Sequence, residues 1–465
     1  MIFTQYYLDC LSQASYLIGD ESSGRAVVVD PRRDIDEYLR DSEAAGLQIE
    51  LVLETHFHAD FLSGHLELAA ATGAAIGYSS VADTEFASRA LADGERIELG
   101  EVVLEIRHTP GHTPESMSIV VWEHADDRAA GRPPYGVLTG DALFIGDVGR
   151  PDLLASFGFT RDELAEQLYD SLHGKLLTLP DATRVYPAHG AGSACGKNLS
   201  TDTWSTIGDQ RVTNYALAAP DKRSFIDLVT EGQPPAPSYF VYDAQRNRET
   251  RDLHDEHEAP EPLSLDAVDR LVADGAVILD GRTPVDFARG HVAGSINVGL
   301  EGRYAEFAGS VIQPDTDVVL VVEPGFEREA RTRLARIGFD RVVGHLADPL
   351  TVMADHPDRV RRASRLTAAD FADRRRAVGD LQVVDVRNRG EVAAGTIEGA
   401  VAIPVGQLPA RLGELDPDRP TVVFCAGGYR SSVAASVVRS AGFADVSDVL
   451  GGFAAWHDLI GVDAG

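Results

Sequence analysis

At 465 residues the chain is too long for one ordinary domain, and two to four are expected. Its net charge of −31 sets it against nucleic acid and anionic membranes as partners, and no apolar run approaches the ~18–20 residues that span a bilayer. The N-terminal Met1-Ile2-Phe3-Thr4-Gln5-Tyr6 has no basic region followed by an apolar one, so no secretory signal is read there. The three cysteines, Cys10, Cys195 and Cys425, lie far apart. That argues against a disulfide framework and for a reducing compartment, with the cytoplasm expected.

Over roughly the first 250 residues, strand and helix patterns alternate. Residues 25–30 read as a buried strand ending at Pro31, and 35–45 as a helix that Gly46 stops. A strand over 49–54 runs into Thr55-His56-Phe57-His58-Ala59-Asp60-Phe61, and a helix over 62–72 follows, with Gly73 beyond it. The strand over 102–106 leads to His108-Thr109-Pro110-Gly111-His112-Thr113-Pro114. Strands over 118–122 and 136–139 follow, the second entering Gly140-Asp141. Residues 160–172 read as a helix, and a strand over 184–186 ends at Pro187-Ala188-His189-Gly190. The recurring event is a strand that ends in a His or Asp, and loops at strand ends are where α/β architectures place chemistry. From 232 to 262 the composition changes. Pro234, Pro235, Pro237, Pro260 and Pro262, with the charged run 246–258, read as the tail of the first domain and a linker.

Two histidines and an aspartate within five residues at a strand end form a metal-ligand signature, because imidazole and carboxylate suit divalent transition metals. A lone His at a strand end is usually a capping or core residue; here six His and Asp residues recur at successive strand ends. The cluster resembles the metallo-β-lactamase superfamily motif T-H-x-H-x-D-H, except that Phe61 stands at the final His. His56, His58, Asp60, His112, Asp141 and His189 follow the order of that superfamily. The resemblance implies an αββα sandwich with the metal at one edge of its two sheets. Phe61 cannot ligate, so a second metal site loses a ligand and a single metal is expected. Thr-His-x-His-Ala-Asp, Thr-Pro-Gly-His-Thr and the run from Gly140 to Arg150 resemble the one-metal branch, the persulfide dioxygenases. That resemblance implies one Fe(II) per chain, with zinc as the alternative, on His56, His112 and Asp141. Two histidines and a carboxylate leave open positions for O₂ and substrate. His58, Asp60 and His189 would then orient ligands or water by hydrogen bonds. Arg150 could hold a substrate carboxylate or brace the site. Cys195, six residues after His189, could handle sulfur at the metal pocket or be a buried inert thiol.

Beyond the linker the sequence repeats itself at a period of roughly 105 residues, which means duplicated domains and not a solenoid. Val277-Ile278-Leu279-Asp280-Gly281-Arg282 is echoed by Val383-Val384-Asp385-Val386-Arg387, and residues 288–295 by 393–400. Residues 318–322 pair with 421–425, and 337–339 with 441–443. A cysteine opening a Gly-rich loop before a helix is a physical recipe for a thiolate, since backbone N–H groups, the helix dipole and Arg430 all favour negative charge there. The same loop would cradle a persulfide or a sulfonate through Gly427, Gly428, Arg430 and Ser431. The pattern D-V-R-x(3)-E-x(3)-G-x-I-x-G-A, followed by a strand into a Cys loop, resembles the rhodanese sulfurtransferase domains, α/β folds around a parallel sheet. Cys425 matches their catalytic cysteine. The first copy has no Cys, its loop reading Val321-Val322-Glu323-Pro324-Gly325-Phe326-Glu327-Arg328, so it is expected to be non-catalytic, with Arg282 and His291 structural.

The expected organisation is a metallo-β-lactamase-like domain over 1–250, a linker over 251–262, a silent rhodanese-like domain over 263–360 and a catalytic one over 364–465. The resemblances imply oxidation of a low-molecular-weight persulfide to sulfite and thiol, beside sulfur transfer through a Cys425 persulfide. Partners are a small thiol persulfide, O₂, and sulfite or thiosulfate, with a homodimer or homotetramer expected. A zinc thioester hydrolase of glyoxalase II type with appended sulfurtransferase domains is the rival enzyme. A non-oxidative sulfur carrier or persulfide sensor is the rival from another class.

Overall fold

In a computed structural model, which describes residues 1–153, 158–233 and 236–463, the chain forms two units. One holds residues 1–256 with 335–338, the other 257–334 with 339–465. Pro234 and Pro235, and the last two residues of the expected C-terminal domain, lie outside the described residues.

Period-two alternation builds the layers of the first unit. In the strand Arg25–Val29, Val27 and Val29 face one way and Val28 the other; in Gln48–Leu53, Leu51 and Leu53 oppose Val52. The inward set packs against Leu104, Ile106, Ile119 and Val121 of a second sheet. The outward set packs on Tyr38 and Leu68 of the helices Asp36–Ala44 and His65–Thr72. On the far side, Val120, Val137 and Val185 pack on the helices Arg161–Ser171 and Lys222–Thr230. Each sheet has six strands, and the layer order is helix, sheet, sheet, helix. This is the metallo-β-lactamase fold.

Local differences from the sequence reading have identifiable causes. The helix expected over 62–72 begins at His65, because Ser63 N donates to Asn247 Oδ1 at 2.9 Å and Gly64 N to Pro31 O at 2.7 Å. The helix expected over 160–172 starts with a Thr160–Glu163 capping box and runs on as a π-helical turn, Leu172–Leu176. The stretch expected as tail and linker holds a helix, Phe240–Arg246. Arg251 is buried, with Nη1 2.7 Å from Glu67 Oε1 in the first unit. Pro260 O accepts from His345 Nδ1 at 2.9 Å in the second.

The second unit contains two five-stranded parallel sheets of the same topology. In each, the first strand neighbours the fifth, then come the fourth, second and third. The fourth strands are Val318–Val321 and Thr421–Phe424, every residue buried, as a parallel sheet covered on both faces requires. Cys425 follows the second of these. These are the rhodanese-like domains. Among the described residues, no helix is long and apolar enough to cross a membrane.

Candidate metal centre and cysteine site

The His-rich loop leaves the end of Gln48–Leu53 and is pinned from neighbouring strands. Asp30, at a positive φ of 51° just past the strand Arg25–Val29, accepts from Thr55 N at 2.7 Å and Thr55 Oγ1 at 2.9 Å. Glu115 Oε1 accepts from Phe57 N at 3.0 Å. Asn247 Nδ2 donates to the carbonyls of His58 and Phe61, each at 2.8 Å. None of these three anchors stood out in the sequence, because each acts through the backbone of a distant segment and carries no motif.

His112 enters from the loop after Val103–His108, and Asp141 from the end of Gly136–Gly140. The approach is close: a Cβ on Gly149 would lie 1.9 Å from the Asp141 carbonyl oxygen, so only glycine fits. His56, His112 and Asp141 are all buried and offer ligand atoms within 4.8 Å of one another. Asp141 Oδ2 lies 3.7 Å from His56 Nε2 and 3.4 Å from His112 Nε2. The opposite nitrogens are engaged, His56 Nδ1 with Thr55 Oγ1 and His112 Nδ1 with the Arg150 carbonyl, both at 2.9 Å. Since the Thr55 hydroxyl donates to Asp30 and the Arg150 carbonyl can only accept, each Nδ1 carries the proton and each Nε2 presents its lone pair. His56 Nε2 and Asp141 Oδ2 have no hydrogen-bond partner among the described residues. Buried polar atoms left this way, converging from three strands, fit a divalent metal. Burial pushes both imidazoles below their ordinary range, towards the neutral form that ligates. Burial works against the Asp141 carboxylate, but His189, His56 and His112 outweigh it and hold Asp141 well below the usual carboxylate range.

His189 donates from Nδ1 to Asp141 Oδ1 at 2.7 Å, and its Nε2 lies 2.8 Å from Asp60 Oδ2, off the line of a good hydrogen bond. Burial disfavours its charge, yet the two carboxylates hold its pKa well above the ordinary value. His58 forms a second buried group with Asp60 and His189, their ligand atoms within 4.8 Å of one another, and its Nε2 is 3.2 Å from Asp30 Oδ1 and 3.7 Å from Glu54 Oε2. The Phe61 ring lies 4.4 Å from that of His58 and 6.3 Å from that of His189, an apolar wall beside this second group. Arg150 is buried and spent within its own chain, on Asp152 at 2.7 and 2.9 Å and on Ala194 O at 3.1 Å. This is the geometry of a brace, with His112 held by the same residue's carbonyl. Cys195 is buried beside Asp141 and His189. Burial, then Asp60 and Asp141, push its thiol well above the usual range.

In the second unit Cys425 follows Thr421–Phe424, and Gly428 N donates to its Sγ at 3.0 Å. Ser431 Oγ lies 3.5 Å from that sulfur. Gly428, at φ 107°, opens the helix Tyr429–Ser440. Apart from its chain neighbours, no heavy atom of the described residues lies within 4 Å of a Cβ placed on Gly427, so that side of the loop is open. Arg430 is clamped by both oxygens of Glu391, each at 2.7 Å. Glu391 is the E of the D-V-R-x(3)-E pattern, so its position was visible in the sequence although its partner was not. In the other copy Arg282 pairs with Asp280 and donates to Gly290 O, and His291 stacks on Phe287 at 3.7 Å.

Residues 8–189 match the metallo-beta-lactamase superfamily, and residues 264–348 and 367–459 each match the rhodanese-like domain. The human protein named persulfide dioxygenase ETHE1, mitochondrial, is 31% identical over 236 residues, covering 50% of this chain and 82% of the relative. The chain belongs to the metallo-β-lactamase superfamily and carries two rhodanese-like domains. Within this superfamily it is also similar to a hydroxyacylglutathione hydrolase, cytoplasmic, of Arabidopsis thaliana, 32% identical over 187 residues, with 40% of this chain and 66% of the relative covered. A crystal structure of a metallo-beta-lactamase from Staphylococcus aureus is 31% identical, covers 74% of this chain and 98% of its own, and superimposes with a TM-score of 0.66.

Proposed function

We propose that this member of the superfamily oxidises a small thiol persulfide at His56, His112 and Asp141 and transfers sulfane sulfur at Cys425. The oxidation balances as R–S–SH + O₂ + H₂O → R–SH + SO₃²⁻ + 2 H⁺. The observation that carries the reading is the convergence of His56 Nε2 and Asp141 Oδ2, both without a hydrogen-bond partner among the described residues, with His112 Nε2. Iron(II) held by these three residues would bind O₂ and pass to it the four electrons that the persulfide sulfurs give up. Thr55 and the Arg150 carbonyl fix the tautomers of the two histidines. His189 donates from Nδ1 to Asp141 and so steadies the ligating carboxylate, with Asp60 beside its other nitrogen. Phe61 supports a one-metal centre, since it puts an aromatic ring where a second centre needs a ligand. The relative named persulfide dioxygenase supports the substrate class.

At Cys425 the thiolate attacks the outer sulfur of thiosulfate. The S–S bond breaks, sulfite leaves with the electron pair, and the cysteine keeps the sulfur as a persulfide. A thiolate acceptor then takes that sulfur and regenerates Cys425. Gly428 N donates to the sulfur while Ser431 Oγ accepts from the thiol form, and Glu391 holds Arg430 in place at the loop. Sulfite is the product of one site and a reactant of the other, which gives the fusion its chemical sense. We place the dioxygenase at 1–250, the silent domain at 263–360 and the sulfurtransferase at 364–465.

Metal content and oxygen uptake on one anaerobically purified sample test the reading. About one iron per chain is expected, as a two-His, one-carboxylate set binds, with O₂ consumed and sulfite released only after a persulfide is added. Two zinc ions and no O₂ uptake would overturn it in favour of thioester hydrolysis, with His58, Asp60 and His189 as the second ligand set. Iron bound without O₂ uptake would point to a carrier or sensor.

A further inference from the structure

The silent rhodanese-like domain keeps the strand and loop frame that carries Cys425 in its sister, with the chemistry inverted. The strands Val318–Val321 and Thr421–Phe424 hold the same place in their sheets. Gly325 and Gly428 lie at the same distance beyond them, with φ 95° and 107°. Val322 therefore stands where Cys425 does, Phe326 where Tyr429 does and Glu327 where Arg430 does. In the catalytic copy the glycine N–H donates to sulfur. In the silent copy Gly325 N donates to Glu327 Oε2 at 2.9 Å, so the chain's own carboxylate occupies the anion cradle.

Beside this loop is a cavity of about 470 Å³ whose apolar lining includes Leu300, Val322 and Phe326, and Tyr429 from the catalytic domain. That size and lining suit a small organic ligand. Its two arginines are already committed. Arg282 is buried on Asp280 and Gly290 O, and Arg333 donates to the carbonyls of Leu300 and Gly302 and ion-pairs with Glu329. The carboxylates of Glu301 and Glu323 on its rim are exposed. Among the described residues that line the cavity, no uncommitted cation is left to receive an anion such as thiosulfate.

We propose that this cavity is a binding site for a small organic ammonium, an apolar body with one positive end, the body against Val322, Phe326 and Tyr429 and the charge at Glu323. A ligand seated there touches Tyr429, four residues from Cys425. The proposal rests on neither active-site assignment, and its test uses no substrate of either.

Isothermal titration calorimetry of the full chain with n-hexylamine, hexan-1-ol and hexanoate decides it. Saturable one-site binding of hexylammonium is expected, with the alcohol weaker and hexanoate silent. Glu323→Lys should weaken hexylammonium about fivefold or more, since one partly screened attraction becomes a repulsion. Val322→Phe, which fills the cavity, should abolish it. No saturable heat, hexanoate binding as tightly as hexylammonium, or full affinity in Glu323→Lys would each overturn the proposal. Position 323 is exposed, so that variant decides the matter even where Val322→Phe fails to fold.

Discussion

A single side-chain amide, Asn247 Nδ2, serves the carbonyls of both His58 and Phe61. Asn247→Ala leaves both acceptors buried and unanswered, at a cost of about 2–4 kcal/mol. The expected outcome is a lower denaturation midpoint and faster loss of metal to a chelator, although no ligand has been touched. Gly149→Ala acts more directly. Its Cβ would meet the Asp141 carbonyl at 1.9 Å, so the Asp141 loop must shift, and metal content at purification should fall while the fold survives. Cys425→Ser separates the two chemistries: thiosulfate-to-thiol sulfur transfer should vanish with persulfide-dependent O₂ uptake intact. Loss of both activities in a folded Cys425→Ser protein would contradict independent sites.

The helix His65–Thr72 is fastened through Glu67, whose Oε1 accepts from Arg33 Nε at 2.9 Å, Arg251 Nη1 at 2.7 Å and His254 N at 3.1 Å. Burial opposes the charge on Glu67, but Arg251 and Arg33 outweigh it and hold its pKa at about 2, against an ordinary 4.5. A depressed carboxylate stabilises the fold fully above its unfolded pKa, and that contribution is lost as pH falls from 4.5 towards 2. By linkage it is worth up to roughly 3 kcal/mol at neutral pH. Denaturant melts at pH 6 and pH 3.5 check this: the stability gap between Glu67→Gln and the parent chain should be about 1–1.5 kcal/mol smaller at pH 3.5, where a carboxylate of pKa about 2 is still mostly ionised. This fastening also marks where sequence reading stopped. The strands and their terminal His and Asp residues were legible, because burial with period two writes itself into the sequence and metal ligands are few residue types. Asp30, Glu115, Asn247 and Arg251 were not, because each is a polar residue in a loop or tail whose partner is fixed only by tertiary packing. The helix Phe240–Arg246 was missed for a related reason. Flanking prolines and charges dominate that stretch, and tertiary contacts of Phe240 and Ala244 decide it instead.

At the scale of the molecule, the duplication was legible down to the missing cysteine, since Val322 is a bare substitution in a repeated frame. What the empty frame encloses was not, because a cavity is a property of the space between side chains and has no residue of its own. The net charge of −31 acts on everything that approaches. Persulfides, thiosulfate and sulfite are anions, so the global field would oppose their arrival at the proposed Cys425 site, where Gly428 N is the donor to sulfur and Glu391 offsets the charge of Arg430. Screening shortens the reach of the field from about 30 Å at 0.01 M salt to about 8 Å at 0.15 M, whereas the donors at the Cys425 loop work within hydrogen-bond distance and are screened far less. The KM for thiosulfate at Cys425 should therefore fall as ionic strength rises over that range, with kcat nearly constant, and the KM of an uncharged thiol acceptor should not move. A thiosulfate KM that rises with salt would mean that a local positive field at the Cys425 loop governs encounter in spite of the acidic whole.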